Sequence, residues 1–222
     1  NPMVKAFSKI FRMSVTDGAL VQLAFYGGYF VMAFPAALFI RKYSYKTGIL
    51  LGLGLYALGA LLFIPASMLG YYYPFLIAYF ILTCGLSFLE TSSNPYILSM
   101  GDERTATRRL NLAQAFNPIG SLLGMFAAMF FIQSRLNPMS TAERAQLSIE
   151  EFEAVKQADL QILIMPYVVV GLAVLLLFFV IRFTKMPKNA DADHSLHLGH
   201  ALKRIFSIPR YREGVIAQFF YV

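Results

Sequence analysis

Tryptophan is absent from the 222 residues, cysteine occurs once, histidine three times, and only 14% of the side chains carry a formal charge. Each shortage excludes something. A lone thiol, Cys84, can form neither an internal disulfide nor a thiolate metal cluster. His194, His197 and His200 share one polar connection with Asp191 and Asp193, a pattern expected of a solvated loop rather than a zinc site. With every histidine there, no serine, cysteine or lysine nucleophile on the apolar segments has a histidine base beside it. Phosphate-cradling glycine loops are missing as well. Neither a cofactor nor a metal is expected, and the sequence does not read as an enzyme.

Hydrophobic residues make up 58% of the chain, whereas a soluble domain has about 25% charged and roughly 45–50% apolar residues. Most of these side chains are therefore built for a solvent other than water. The net charge of +7 does not point to nucleic acid, because the lysines and arginines sit between apolar runs and form no basic, aromatic-laced face. The chain starts without a methionine or a signal-peptide pattern, and its last apolar run, 214–222, is short, so a longer protein is expected around it.

Five stretches, 17–40, 48–69, 74–100, 107–133 and 161–183, are long and apolar enough for a helix to cross a hydrocarbon layer of about 30 Å. Lipid offers backbone groups no partner, so helices are predicted, not open sheet. Thirteen basic residues fall on one side of these spans: Arg41, Lys42 and Lys46, then Arg104, Arg108 and Arg109, then seven after the fifth span. Six fall on the other, which makes the first side cytoplasmic. Residues 1–11 then read as the outer end of a first helix. The organisation predicted is a bundle over 1–183, a cytoplasmic connection over 184–212 and the start of a seventh helix over 213–222.

Two connections have patterns of their own. Ser148-x-x-Glu151 is a capping-box signature, and 137–159 is expected to carry a short helix lying on the outer membrane surface. Residues 195–212 have the spacing of an interfacial amphipathic helix.

Glu90 is the one formal charge well inside a full span. A carboxylate at membrane depth costs several kcal/mol, roughly 2.5–3.5 on insertion scales, and is kept where it faces water, a ligand or a partner. Ser87, Glu90, Thr91 and Asn94 recur at helical spacing, and Pro95 just beyond is expected to open the helix. A buried ion pair is the competing reading, but the spans supply no cation for it. On the next span, Asn111, Gln114, Asn117 and Ser121 form a second stripe. Gln114 and Asn117, one turn apart beside Pro118, offer donors and acceptors suited to a ring of hydroxyls. Gln22, Tyr26 and Tyr29 form a third, although tyrosine near a membrane boundary is also an anchor. Gly48-xxx-Gly52 and Gly120-xxx-Gly124 are expected to be helix-packing motifs.

Several segments resemble a known family. Ala24-Phe25-Tyr26-Gly27-Gly28-Tyr29-Phe30, Ser44-Tyr45-Lys46-Thr47-Gly48-Ile49, Leu89-Glu90-Thr91-Ser92-Ser93-Asn94-Pro95 and Arg109-Leu110-Asn111-Leu112-Ala113-Gln114-Ala115-Phe116-Asn117 look like the L-fucose/proton symporter family and its glucose/galactose branch. These are sugar permeases of the major facilitator type. The resemblance implies an all-α, polytopic bundle, the N-terminal six-helix half of that fold, in the inner membrane. It implies sugar uptake by alternating access, with Glu90 as the protonatable residue that couples to the proton and Asn94, Gln114, Asn117, Gln22 and Tyr26 lining the sugar cavity. The partners implied are a sugar, a proton and the lipid bilayer, without nucleic acid, and a monomer is expected. Ser44 stands where many facilitators have Asp, as in the fucose branch. Asn1 falls near the position of an Asp in the fucose permease's first helix, a departure that bears on ion coupling or sugar preference. L-fucose is the favoured substrate. A glucose/galactose carrier, sodium-coupled in one version, and a drug/proton antiporter are the alternatives within the fold; a non-transporting membrane receptor or scaffold is the alternative outside it.

Overall fold

The computed structural model describes residues 2–11, 13, 15–186 and 204–221, and these form two units, one within 1–190 and one within 191–222. The first unit is built from α1 (Pro2–Phe11), α2 (Val15–Lys42), α3 (Tyr45–Leu61), α4 (Phe63–Leu69), α5 (Tyr72–Ser99), α6 (Ala106–Gln114), α7 (Phe116–Ala127), α8 (Thr141–Ala145) and α9 (Ile149–Phe183). A short 3-10 turn, Glu103–Thr105, precedes α6, and a π-helical turn, Ala128–Gln133, follows α7. The second unit contains α10 (Pro209–Tyr221). Among the described residues, five helical spans have the length and apolarity to cross a membrane: Asp17–Lys42, Tyr45–Leu69, Tyr72–Ser99, Glu103–Gln133 and Ile149–Phe183.

Proline chemistry explains where the spans bend. Pro65 has no N–H for the Leu61 carbonyl, and the second span breaks into α3 and α4 at Leu62. Pro118 likewise leaves the Gln114 carbonyl unserved, and that span breaks into α6 and α7 at Ala115. Pro95 does not open α5, contrary to expectation; the helix runs unbroken to Ser99. Its last turn is held from outside by an arginine of α6, described below.

Apolar tails solvate a leucine as well as another leucine does, so these helices associate through close van der Waals fit. The seam between α3 and α5 shows it. A Cβ on Gly59 would lie 2.4 Å from the Leu82 backbone nitrogen, and one on Gly85 would lie 2.5 Å from that of Tyr56. Gly52 meets the Gly85 carbonyl and Gly48 meets Ile40 and Ser92, so the first small-residue motif is a packing motif as expected. A Cβ on Gly120 or Gly124 would meet nothing within 4 Å beyond its own helix, so nothing in the described structure packs on the second.

Two apolar clusters hold the bundle. The larger gathers Phe7, Ile10, Val21, Phe63, Phe75, Leu160 and their neighbours, with Phe63 stacked on Tyr167 at 4.1 Å. The smaller, toward the basic ends of α3, α5 and α9, joins Ile49, Leu53 and Tyr96. Neither α6 nor α7 buries a side chain.

The connection before α9 departs from the sequence reading. Ser148 and Glu151 do form a capping box, but the helix it opens is α9 itself, 35 residues without a break, not a separate surface helix. A second capping box, Ser140 with Glu143, starts the five-residue α8. The Ser140 backbone N–H and hydroxyl hold the Glu143 carboxyl below the usual carboxylate range. Between them lies a closed polar knot. Arg144 and Asp159 are 0% and 1% exposed and form a salt bridge. Arg144 also donates to the carbonyls of Asn137, Met139 and Lys9, while Asp159 accepts from the Asn137 N–H, so α1, α8 and α9 are tied at one end.

Candidate functional site: a polar ladder around Glu90

The third turn from the end of α5 presents Glu90, an exposed side chain in this bundle. Taking about 1.5 Å per helical residue, its Cα lies roughly 14 Å above Ser99 at the basic end of the helix. Its carboxylate meets a phenol: the Tyr29 hydroxyl donates to Glu90 Oε1 at 3.2 Å. The packing that places Tyr29 there is local and specific. Gly28 sits against Thr83, whose hydroxyl donates to the Ala24 carbonyl at 3.3 Å, and the Ser87 hydroxyl donates to the Tyr29 carbonyl at 3.3 Å. Both hydroxyls pin α2 to α5 and leave the Tyr29 ring beside Glu90. Ser87 is consequently buried and is part of the seam rather than of the open face.

One turn further along α5 comes Asn94. Its Oδ1 accepts from Gln114 Nε2 at 3.0 Å, and Gln114 Oε1 accepts from Asn117 Nδ2 at 3.1 Å. Tyr29, Glu90, Asn94, Gln114 and Asn117 thus form a polar ladder across α2, α5, α6 and the start of α7. The ladder is open: Glu90, Gln114 and Asn117 are exposed and Asn94 is half-buried. Among the described residues the ion pairs are Arg144–Asp159 and Lys156–Glu153, and neither involves Glu90. Among the described residues the carboxylate is therefore met by a neutral donor and not by a cation.

The break at Ala115 belongs to the site as well. It separates Gln114, the last residue of α6, from Asn117, the second of α7, at a point where helical geometry has just been interrupted. Gln22 and Tyr26 lie on the exposed side of α2, two turns and one turn from Tyr29 toward its other end, and neither joins the ladder; Tyr26 packs edge-on against Phe25 at 5.3 Å. Tyr29 enters the ladder with more directness than either, although it was only the third member of the same sequence stripe. Asn111 and Ser121 are exposed without a place in the ladder. Asn1, the histidine triplet and the first half of the amphipathic stretch over 195–212 lie outside the described residues.

Residues 1–222 match the model of the Major Facilitator Superfamily. The chain belongs to that superfamily. As such it is a multi-pass protein of the inner membrane, and its fold is the N-terminal half of a facilitator. It is 47% identical to the L-fucose-proton symporter of Haemophilus influenzae over 228 residues, covering 100% of this chain and 53% of that protein. It is 31% identical to a glucose/galactose transporter of Brucella abortus, over 99% of this chain and 50% of that one. Among solved structures it resembles the facilitator FucP in its outward conformation, with a TM-score of 0.85 and 36% identity over 98% of this chain and 53% of that one. The chain spans about half the length of the curated relatives it matches.

Proposed function

We propose that the complete protein carries a sugar, L-fucose before others, into the cell together with a proton by alternating access, and that residues 1–183 supply one wall of the cavity. Residues 184–212 connect the halves and 213–222 begin a seventh helix. The carrier works as a monomer in the bilayer, and it moves its substrate without altering it. The observation that carries this reading is the pairing of Glu90 with a phenol instead of a cation, one helical turn from a run of amides.

In the mechanism, protonated Glu90 and the hydroxyl of Tyr29 hold sugar hydroxyls, while Asn94, Gln114 and Asn117 supply both donors and acceptors to the ring. Gln22 and Tyr26 flank the outer approach, and Asn1 is assigned with them to sugar binding. Loss of the proton toward the cytoplasm turns Glu90 into an acceptor only, changes its hydrogen bonding to the sugar and favours release. Sugar and proton share one group, so neither returns alone. One proton falling through about 100 mV releases about 2.3 kcal/mol, and with about 1.4 kcal/mol per tenfold gradient this sustains roughly fifty-fold accumulation.

The higher identity to the fucose relative than to the glucose/galactose relative favours L-fucose. Parallel uptake of fucose, galactose and glucose by the full-length protein, with and without a protonophore, is the test. Protonophore-sensitive uptake led by fucose supports the reading; sodium-dependent uptake led by galactose or glucose replaces it with the second branch.

A further inference from the structure

The half-ladder Asn94–Gln114 joins two helices that share only a short connection and a half-buried seam. Neither α6 nor α7 buries a side chain, so no apolar core sets how far α6 slides along α5. One residue near the turn does make bonds to both sides. Arg109, half-buried on α6, donates from Nε to the Ile97 carbonyl at 3.3 Å and from one terminal nitrogen to the Leu98 carbonyl at 3.1 Å. From the other it donates to the Asp102 carbonyl at 2.9 Å and to the Thr105 hydroxyl at 2.5 Å. Ile97 and Leu98 lie in the last turn of α5, where carbonyls run out of helical partners and the helix dipole is negative, so a guanidinium is matched in geometry and in sign. Gly101, at φ 78°, turns the chain beneath that guanidinium, with room there that a Cβ would narrow to 3.6 Å.

Ile97 lies three positions from Asn94, and Arg109 five from Gln114. The two bonds of Arg109 that cross to α5 therefore sit about one turn from the amide pair, while the other two tie it to the connecting turn at Asp102 and Thr105. We infer that Arg109 is a positioning residue for the sugar site: it staples α6 to the end of α5 and so holds Gln114 in register with Asn94. This inference rests on the sugar-carrier reading for its consequence, not for its geometry. Lysine cannot replace the staple, since a single ammonium lacks the planar fork that reaches two carbonyls on one side and two oxygens on the other. Arg108, its exposed neighbour, has the same charge and no such bonds among those of the described residues, and serves as the control.

The test uses the full-length protein with Cys84 replaced by Ala. In an Asn94→Cys/Gln114→Cys background, the rate of bridging by a short bis-methanethiosulfonate reagent reports the register without any sugar. Arg109→Lys should slow bridging about fivefold or more, with Arg108→Lys unchanged and the melting temperature of each within a few degrees of its parent. Thr105→Val, which removes one of the four bonds, should slow it about twofold. In the protein without the added cysteines, Arg109→Lys should weaken L-fucose binding about five- to tenfold, and Asn94→Ala/Arg109→Lys should bind no worse than the weaker single variant, because both act on one contact. Bridging unaffected by Arg109→Lys and Thr105→Val overturns the inference whatever the protein carries. Multiplying effects on binding would overturn it too. Slowed bridging in a protein that binds no sugar would keep the staple and reject the carrier reading.

Discussion

Two carboxylates on long apolar helices, Asp159 on α9 and Glu90 on α5, are treated in opposite ways. Asp159 is shut inside the bundle, bound to Arg144 and to the Asn137 N–H, with the remaining guanidinium donors spent on three carbonyls. Glu90 stands at an exposed face and is met by one phenol. A charge satisfied on every side by fixed partners closes a structure, and nothing about it can change without unfolding its surroundings. A charge held by one neutral donor can exchange that donor for a hydroxylated ligand or accept a proton. Partner chemistry is what separates the two carboxylates.

The sharpest way to break this contrast is at the closed end. Asp159→Leu leaves the Arg144 guanidinium buried and unpaired, and should cost about 3–5 kcal/mol, seen as a large fall in the melting temperature of the purified full-length protein. Arg144→Met combined with Asp159→Leu should recover most of that loss, since an apolar pair of similar bulk removes the stranded charge. A double variant as unstable as the single one would mean that the knot does more than neutralise Asp159.

Next in size is the seam that holds α5 against α3. Gly59→Leu drives atoms into the Leu82 backbone and should cost about 1–3 kcal/mol by overpacking, with thermal unfolding as the readout. The same substitution at Gly120, where a Cβ would meet nothing within 4 Å beyond its own helix, leaves the stability of this half unchanged, which a limited-proteolysis comparison of the two variants checks. Smaller still are the open amides. Asn94→Ala and Gln114→Ala each remove one hydrogen-bonding group of the ladder and should weaken sugar binding by about 0.5–1.5 kcal/mol, roughly two- to twelvefold, by equilibrium binding. Both should leave the melting temperature nearly unmoved, in contrast to Asp159→Leu. Gln22→Ala, outside the ladder, should change binding least, within about twofold.

Much of the fold was legible because the membrane imposes one rule: a helix must be apolar over about 20 residues. Each of the five runs seen in the sequence became a span whose ends lie within a few residues of expectation, apart from the last. That exception is instructive. Hydropathy stops at Leu160, yet α9 begins at Ile149, because its first turns are amphipathic and their inward residues, Lys156, Asp159 and Leu160, pack against the rest of the bundle. The capping box marked a helix start correctly but could not say how long the helix would be. Arg144 looked like one more external charge, since its partners come from α1, from the turn before α8 and from a residue fifteen positions on. No local pattern carries such a contact.

The site was legible for the same reason in part. A lone acid and spaced amides stand out against an apolar background, and the pairing of Asn94 with Gln114 follows from two stripes on consecutive spans. Tyr29 was visible only as a stripe member, because which of three residues on α2 reaches Glu90 depends on the Gly28–Thr83 and Tyr29–Ser87 contacts. Prolines were read less well: Pro95 and Pro118 are alike in sequence, yet α5 runs through the first, as α2 and α9 run through Pro35 and Pro166, while the span that holds the second divides just before it.

Whether the open carboxylate is the group that binds the proton decides the proposed mechanism. Full-length Glu90→Gln, reconstituted into vesicles, should keep exchanging labelled L-fucose for unlabelled sugar while losing the alkalinisation that sugar addition produces outside wild-type vesicles. A mutant that still takes up protons with the sugar would show that the coupling group lies elsewhere, and the role assigned to the ladder's acid would be wrong.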